Sequence, residues 1–221
     1  MKIQKFIIKE EANATIFNLF SALFCQPTDD LIENPKLFEN LQSAFEIVSP
    51  ECLEDAYQIW KTLHDYSVEE LLIEYSRLFI GPFKMLAPPY SSMYIGGDSL
   101  MNDETLWVIN FYKKMGLRFD SNLKDAPDHF SIESEFMYSM IFNEIKELQE
   151  ANLEQAIHYY ENRKEFYLKH FLKWVPQFCD KIIMGTDNDY YRLVSTCLNK
   201  FVEMAEIPAF PKQMNKDTSV V

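Results

Sequence analysis

Glycine is scarce in this sequence, with only five glycines among 221 residues. Tight β-turns and phosphate-cradling loops depend on glycine, so its scarcity disfavours β-rich folds and nucleotide-binding loops. The Walker loop and the G-x-G-x-x-G fingerprint are both missing. We therefore expect helices joined at corners that proline marks.

Long apolar runs are missing as well. None approaches the length of a membrane-spanning helix, so stable membrane insertion is not expected. Near the N-terminus, Phe6-Ile7-Ile8 leads directly into Lys9-Glu10-Glu11, whereas an export signal would continue with an apolar region. The sequence predicts a protein that stays in the cytoplasm.

Basic clusters are also lacking. The formal net charge is −13, and the longest basic runs are pairs such as Lys113-Lys114 and Arg163-Lys164. Nucleic acids and anionic membranes require basic patches, so we do not expect either as a partner. A basic or amphipathic peptide is a better candidate, although acidity that serves only solubility explains the charge equally well.

The cysteines form no C-x-x-C pair. Each of the four lies within an apolar helical stretch or at its edge, which predicts buried free thiols in a reducing compartment. They are Cys25, Cys52, Cys179 and Cys197.

Motifs for catalysis and metal binding are missing too. No histidine has a Glu three residues before it, and neither H-E-x-x-H nor G-x-S-x-G occurs. Glu154 and His158 are four residues apart, a spacing that favours a surface hydrogen bond over metal ligation. We predict no catalytic residue, no metal and no cofactor, and therefore a protein that is not an enzyme.

What the sequence does contain is helical periodicity, which predicts an all-α fold of about ten helices. Ser49-Pro50-Glu51 is a helix start with a capping serine, and residues 67–70 offer a capping box. Long helices are predicted from 129 to about 150 and from 153 to about 184, the second bent at Pro176.

The predicted helices form two halves within a single domain over 1–221. An N-terminal half at about 1–116 is joined by a hinge at about 117–128 to a C-terminal half at about 129–207. A loose tail follows at 208–221.

Two segments stand out from this helical background. In the first, an amphipathic helix ends at Gly81-Pro82 and a proline corner with two tyrosines follows, a surface suited to gripping a peptide. In the second, Asp128 is a candidate N-cap for the next helix. On the residues alone the plainer interpretation is favoured, with Leu78 and Phe79 as core, prolines that only turn the chain, and an ordinary helix start.

Taken together, four motifs resemble the TorD/DmsD family of redox-enzyme maturation chaperones. They are E-Y-S-R-L-F-I-G-P at 74–82, P-P-Y-S-S-M-Y at 88–94, P-D-H at 127–129, with E-S-E-F-M at 133–137, and F-Y-L-K-H-F-L-K-W-V-P-Q-F at 166–178. They occur in the family's order and at suitable spacing.

The resemblance covers roughly 10–205 and implies an all-helical fold of two subdomains. It also implies a cytoplasmic chaperone that binds the twin-arginine signal peptide and the apo form of a molybdopterin-dependent oxidoreductase. Such a chaperone holds its client for cofactor insertion before export. The positions that match the family's leader-binding residues are Tyr75, Leu78, Phe79, Pro89, Tyr90, Asp128 and His129. We further hypothesise that Asp128 faces a leader arginine.

Two other functions stay open at this stage. One is a switch or cofactor-delivery factor that binds a guanine nucleotide or the pterin cofactor, and the other is a helical adaptor that binds mature protein instead of a leader. The sequence does not identify the client oxidoreductase. Both a monomer and a domain-swapped dimer are compatible with the predicted hinge.

Overall fold

The computed structural model describes residues 2–82, 84–97, 99–117 and 125–211. Over these ranges the chain is helical and contains no β-strand, so the all-α prediction is confirmed. The α-helices are α1 Lys2–Leu23, α2 Asp29–Glu33, α3 Pro35–Val48, α4 Leu53–Leu63, α5 Val68–Tyr75, α6 Asp103–Lys114, α7 Phe130–Gln149, α8 Leu153–Phe166, α9 Leu172–Gly185 and α10 Asp189–Met204. Short 3₁₀ turns span Pro50–Cys52 and Ser91–Met93, and π-helical turns span Ser76–Ile80 and Tyr167–Phe171.

The core forms around α1, which packs along α7 and α3, while α10 packs on α9 and α4. The apolar stripe of α1 supplies Phe17 and Phe20, whose rings lie 5.6 and 6.4 Å from that of Phe201 on α10. Phe45 of α3 joins the same cluster, 5.9 Å from Phe201. Fully burying a side chain of this size contributes about 1.5–3 kcal/mol, so the abundant phenylalanine holds the helices together.

Helix starts follow the predicted local chemistry in one case and depart from it in another. The capping box is confirmed, since the Ser67 hydroxyl accepts the Glu70 N–H at 3.3 Å and the Glu70 carboxylate accepts the Ser67 N–H at 2.9 Å. The prediction that Ser49 caps a helix is wrong, because its side chain makes no cap bond. Instead, the Ser49 N–H donates to the Phe45 carbonyl at the C-terminal end of α3, and a 3₁₀ turn leads into α4.

The segment predicted as one helix from 153 to 184 is divided by the π-helical turn Tyr167–Phe171. Pro176 lies inside α9, beyond this turn. A proline disturbs the turn before it, because its ring meets the carbonyl four residues back, here that of Leu172. The irregular turn therefore precedes the proline instead of coinciding with it.

The cysteine prediction is correct for three residues and wrong for one. Cys52, Cys179 and Cys197 are buried, but Cys25 lies just past the last turn of α1 and is exposed. Its thiol donates to the Ser21 carbonyl at 3.3 Å.

The predicted hinge and tail lie largely outside the described residues, which omit 118–124 and 212–221. Within the described part, the Tyr160 hydroxyl donates to the Pro208 carbonyl at 3.0 Å, and the Phe210 ring lies 5.6 Å from that of Phe6. The division into two halves stays a prediction. Among the described residues no helix is both long enough and apolar enough to cross a bilayer.

Candidate functional site

The first motif ends in a π-helical turn that requires glycine. Helix α5 continues into Ser76–Ile80, and the Gly81 N–H donates to the Ser76 carbonyl at 2.6 Å. Gly81 has φ +62° and ψ 153°, a conformation almost confined to glycine. A Cβ on Gly81 would also lie 2.5 Å from the Lys84 carbonyl oxygen. The local backbone therefore explains the glycine of this motif.

Arg77 and Glu74 of the same motif join α5 to the end of α9. The Arg77 guanidinium lies 2.5 Å from the Glu74 carboxylate and also donates to the Gly185 carbonyl at 2.7 Å. Thr186 donates a hydrogen bond to the same carboxylate. These residues fix the position of the π-helical turn relative to α9.

Two apolar residues of the motif lie in the core. Leu78 is fully buried and Phe79 is 4% exposed, in contact with the rings of Phe24, Phe178 and Tyr191. Burial raises the pKa of Tyr75 to about 12. In this conformation, the motif supplies support beneath the surface and little of the surface itself.

The proline loop and the 127–131 segment are joined by backbone hydrogen bonds. Tyr90 and His129 form an isolated antiparallel bridge, in which the Phe130 N–H donates to the Pro89 carbonyl at 2.8 Å. The Ser91 N–H donates to the Asp128 carbonyl at 3.0 Å. Two motifs that are far apart in the sequence therefore form one structural unit.

Asp128 holds this unit together from inside. It is fully buried, and its Oδ2 accepts the Ser92 N–H at 3.0 Å, while its Oδ1 has no hydrogen-bond partner among the described residues. The expected N-cap role belongs instead to His129, whose Nδ1 accepts the Ser131 N–H at 3.2 Å. The Asp128 carboxylate is occupied by the loop, which leaves the next residue to cap α7.

Tyr90 is the predicted residue that presents the most surface. It is half-buried, its ring lies 5.2 Å from that of His129, and its hydroxyl donates to Oδ1 of the exposed Asp125 at 3.4 Å. Burial and the Asp125 charge raise the pKa of Tyr90 to about 12. Burial lowers the pKa of His129, consistent with a neutral ring whose Nδ1 accepts a hydrogen bond.

A buried polar network beneath this unit connects three helices. The Glu133 carboxylate lies 2.8 Å from His170 Nε2 and accepts the Trp174 Nε1–H at 2.9 Å. His170 Nδ1 lies 2.6 Å from Glu104 Oε1. Since both ring nitrogens face carboxylates, the arrangement favours the protonated imidazole. Burial alone would lower the pKa of His170, but the two carboxylates raise it to about 9.

In the sequence analysis Glu133 entered only as part of a motif, and Glu104 was given no role at all. His170 entered only as part of a motif. The available signal was the i, i+4 spacing of His170 and Trp174, which places two hydrogen-bonding side chains on one face of an apolar helix. Such a face requires a buried hydrogen-bond acceptor, but which residue supplies that acceptor depends on tertiary packing.

The fold is that of a redox-enzyme maturation protein. The crystal structure of a protein from Archaeoglobus fulgidus, described as a "Putative Redox Enzyme Maturation Protein", matches with a TM-score of 0.57 at 23% identity. The match covers 86% of this chain and 93% of that one. Residues 39–180 match the family described as nitrate reductase delta subunit. The chain therefore belongs to that family, within which its motifs identify the TorD/DmsD redox-enzyme maturation chaperones.

Relatives at the sequence level have chaperone names. "Chaperone protein TorD" of Photobacterium profundum is 26% identical over 91% of this chain and 96% of its own length. The protein of that name from Vibrio parahaemolyticus is 29% identical over 61% of this chain and 62% of its own length. "Tat proofreading chaperone DmsD" of Salmonella paratyphi A is 33% identical over 29% of this chain and 32% of its own length. These names confirm the prediction of a chaperone and not an enzyme.

Proposed function

We propose that this chain is a cytoplasmic chaperone that binds the twin-arginine signal peptide and the apo form of a molybdopterin-dependent oxidoreductase. It holds the client for cofactor insertion before export. The observation that carries the proposal is the Tyr90–His129 bridge, because it brings two of the four motifs into one unit. Membership of a chaperone family and the names of the relatives support the same function.

The leader's basic region suits the charge of this surface. Asp125 is exposed beside Tyr90, and the chain has a net charge of −13. Complementary charge speeds encounter and disfavours acidic competitors, while an aromatic ring beside the acid supplies contact area. We propose that a leader arginine pairs with Asp125. Asp128, the acid that the sequence suggested, is buried and would reach an arginine only after the loop moved.

The leader's apolar region requires an apolar surface close by. Ile80, Leu86 and Met184 are 55%, 44% and 84% exposed. The Ala87 N–H donates to the Leu78 carbonyl, and a Cβ on Gly185 would lie 3.8 Å from Leu86 Cβ, so these exposed residues surround one corner of the fold. We propose that the apolar stretch of the leader packs on this corner.

The seven predicted site residues then divide by depth. We propose that Tyr90, the half-buried member of the set, contacts the leader, with Pro89, Asp128 and His129 holding the loop in the conformation that presents it. Tyr75, Leu78 and Phe79 support this surface from beneath, since all three are buried.

Calorimetry with a twin-arginine leader peptide tests the proposal. We expect binding at micromolar Kd or better, about −8 kcal/mol, and weaker binding when both arginines are replaced by lysine. Tyr90→Ala should reduce the affinity, while Tyr57→Ala, which removes another exposed tyrosine, should not.

Two results would contradict the proposal. One is binding of a guanine nucleotide or the pterin cofactor by a chain that does not bind the leader. The other is equal binding of the apo client with and without its leader, which would indicate an adaptor for mature protein.

A further inference from the structure

Two buried thiols and a carboxylate meet where α4 packs against α10. Cys52 closes the 3₁₀ turn before α4, Asp55 lies three residues later in the first turn of α4, and Cys197 faces them from α10. One ligand atom from each, the two Sγ atoms and a carboxylate oxygen, all lie within 4.8 Å of one another. Both cysteines are fully buried, whereas the Asp55 side chain is 23% exposed.

Lys200 completes the cluster. It lies three residues after Cys197, with its Nζ 3.0 Å from Asp55 Oδ2, and it also donates to the Glu51 carbonyl. With both thiols ionised, the cysteines and Asp55 would have three negative charges, of which Lys200 would offset one. The remaining two negative charges equal in size the charge of a divalent cation.

We propose that Cys52, Asp55 and Cys197 form a zinc-binding site. Zinc takes thiolate and carboxylate ligands in tetrahedral geometry, with Zn–S distances of about 2.3 Å and ligand atoms therefore about 3.7 Å apart. The observed separations, all within 4.8 Å, exceed that spacing by about 1.1 Å at most. A water molecule would supply the fourth ligand, since the Asp55 side chain is 23% exposed. Two thiolates select zinc over magnesium or calcium, which prefer oxygen ligands.

Such a site would link α4 to the last helix of the fold. None of the three ligands belongs to the proposed leader-binding surface, so failure of either proposal leaves the other standing.

Cobalt titration of the reduced, chelator-treated full chain tests the site. We expect one equivalent of Co²⁺ to produce thiolate-to-cobalt absorption that Zn²⁺ removes. Cys52→Ser and Cys197→Ser should abolish this absorption. Asp55→Asn, at a partly exposed position that leaves both thiols in place, should weaken zinc binding about tenfold or more, since even outer-shell changes cost that much.

Matched cysteine variants serve as controls. Cys179→Ser removes another buried thiol and Cys25→Ser removes the exposed one, and both should retain the cobalt absorption. Circular dichroism verifies that each variant is folded. The proposal is overturned if the folded parent chain gives no absorption, if folded Cys52→Ser retains it, or if Cys25→Ser abolishes it.

Discussion

At the scale of single residues, two positions show how the fold depends on specific chemistry. Gly81 adopts a conformation almost confined to glycine directly beneath the Lys84 carbonyl. Arg163 of α8 is 2% exposed, and its Nη2 lies 3.1 Å from both Glu10 of α1 and Glu144 of α7. The first position constrains the backbone, and the second places a guanidinium and two carboxyl groups inside the protein.

Replacing Gly81 by alanine should destabilise the protein more than replacing Gly116. Both glycines have positive φ, but a Cβ at Gly116 would meet no atom of the described residues within 4 Å. We expect Gly116→Ala to cost about 1–2 kcal/mol from backbone strain alone. The clash should make Gly81→Ala costlier by about 1–3 kcal/mol, as measured by urea unfolding. Equal losses of unfolding free energy in the two variants would show that the backbone at Lys84 moves away from the new Cβ without cost.

Replacing Arg163 by methionine should lower the free energy of unfolding by about 3–5 kcal/mol. The change leaves Glu10 and Glu144 buried without their cation. The matched control is Arg192→Met, because Arg192 pairs with Asp189 at the surface, where a pair contributes about 1 kcal/mol at most. Urea unfolding of both variants makes the comparison. A loss no larger than that of the control would show that the buried cluster rearranges or neutralises.

At the scale of elements, the ends of helices are where local patterns and tertiary structure diverge. Helix α7 begins at the bridge between the two motif segments, and its cap is His129 because Asp128 is occupied by Ser92. The first turn of α7 then supplies Glu133 to a network that includes Glu104 of α6 and His170, just before α9. One helix start therefore positions both the candidate surface and the polar network beneath it.

This network predicts a loss of stability at alkaline pH. His170 titrates at about 9 when folded and near 6.5 when unfolded. Its stabilising contribution is therefore complete below pH 6.5 and lost as pH rises through 9. Burial raises the pKa of Glu144 to about 8, so this carboxyl also favours the folded state less as pH rises from 4.5 to 8. We expect the free energy of unfolding to fall from pH 6 to pH 9.5.

His170→Gln separates the contribution of His170 to the pH dependence of stability from that of Glu144. It removes the titrating imidazole, so its stability should decline less with pH than that of the parent chain, while Glu144 still titrates. His64→Gln, which changes an exposed histidine, should leave the decline unchanged. An NMR titration that placed the folded His170 pKa at or below 6.5 would contradict this account.

At the scale of the whole molecule, the acidic charge and its distribution matter more than any single pair. A net charge of −13 attracts a basic leader over a distance set by salt, and the surface acid nearest the aromatic loop should contribute most. Within the described ranges Asp125 is that acid, since Tyr90 hydrogen-bonds to it.

Asp125→Asn should slow association with the leader peptide and flatten its dependence on salt concentration. The control is Glu154→Gln, because Glu154 begins α8, beyond the far end of α7. The 20 residues of α7 place it about 30 Å from His129. Stopped-flow measurements over a range of salt concentrations supply the association rate constant and its salt dependence. Equal salt dependence in the two variants would show that Asp125 has no special part in recognition.

The sequence by itself determined the helical class, the capping box at Ser67 and the family, because periodicity, caps and motifs are local properties of the chain. Local patterns favoured Leu78 and Phe79 as core, and both are buried, but they could not show that His129 and not Asp128 caps α7. Only the tertiary structure joined Tyr90 to His129, Glu133 to His170 and Cys52 to Cys197. Each of these contacts connects residues far apart in the sequence, and which distant side chains meet depends on how whole helices pack.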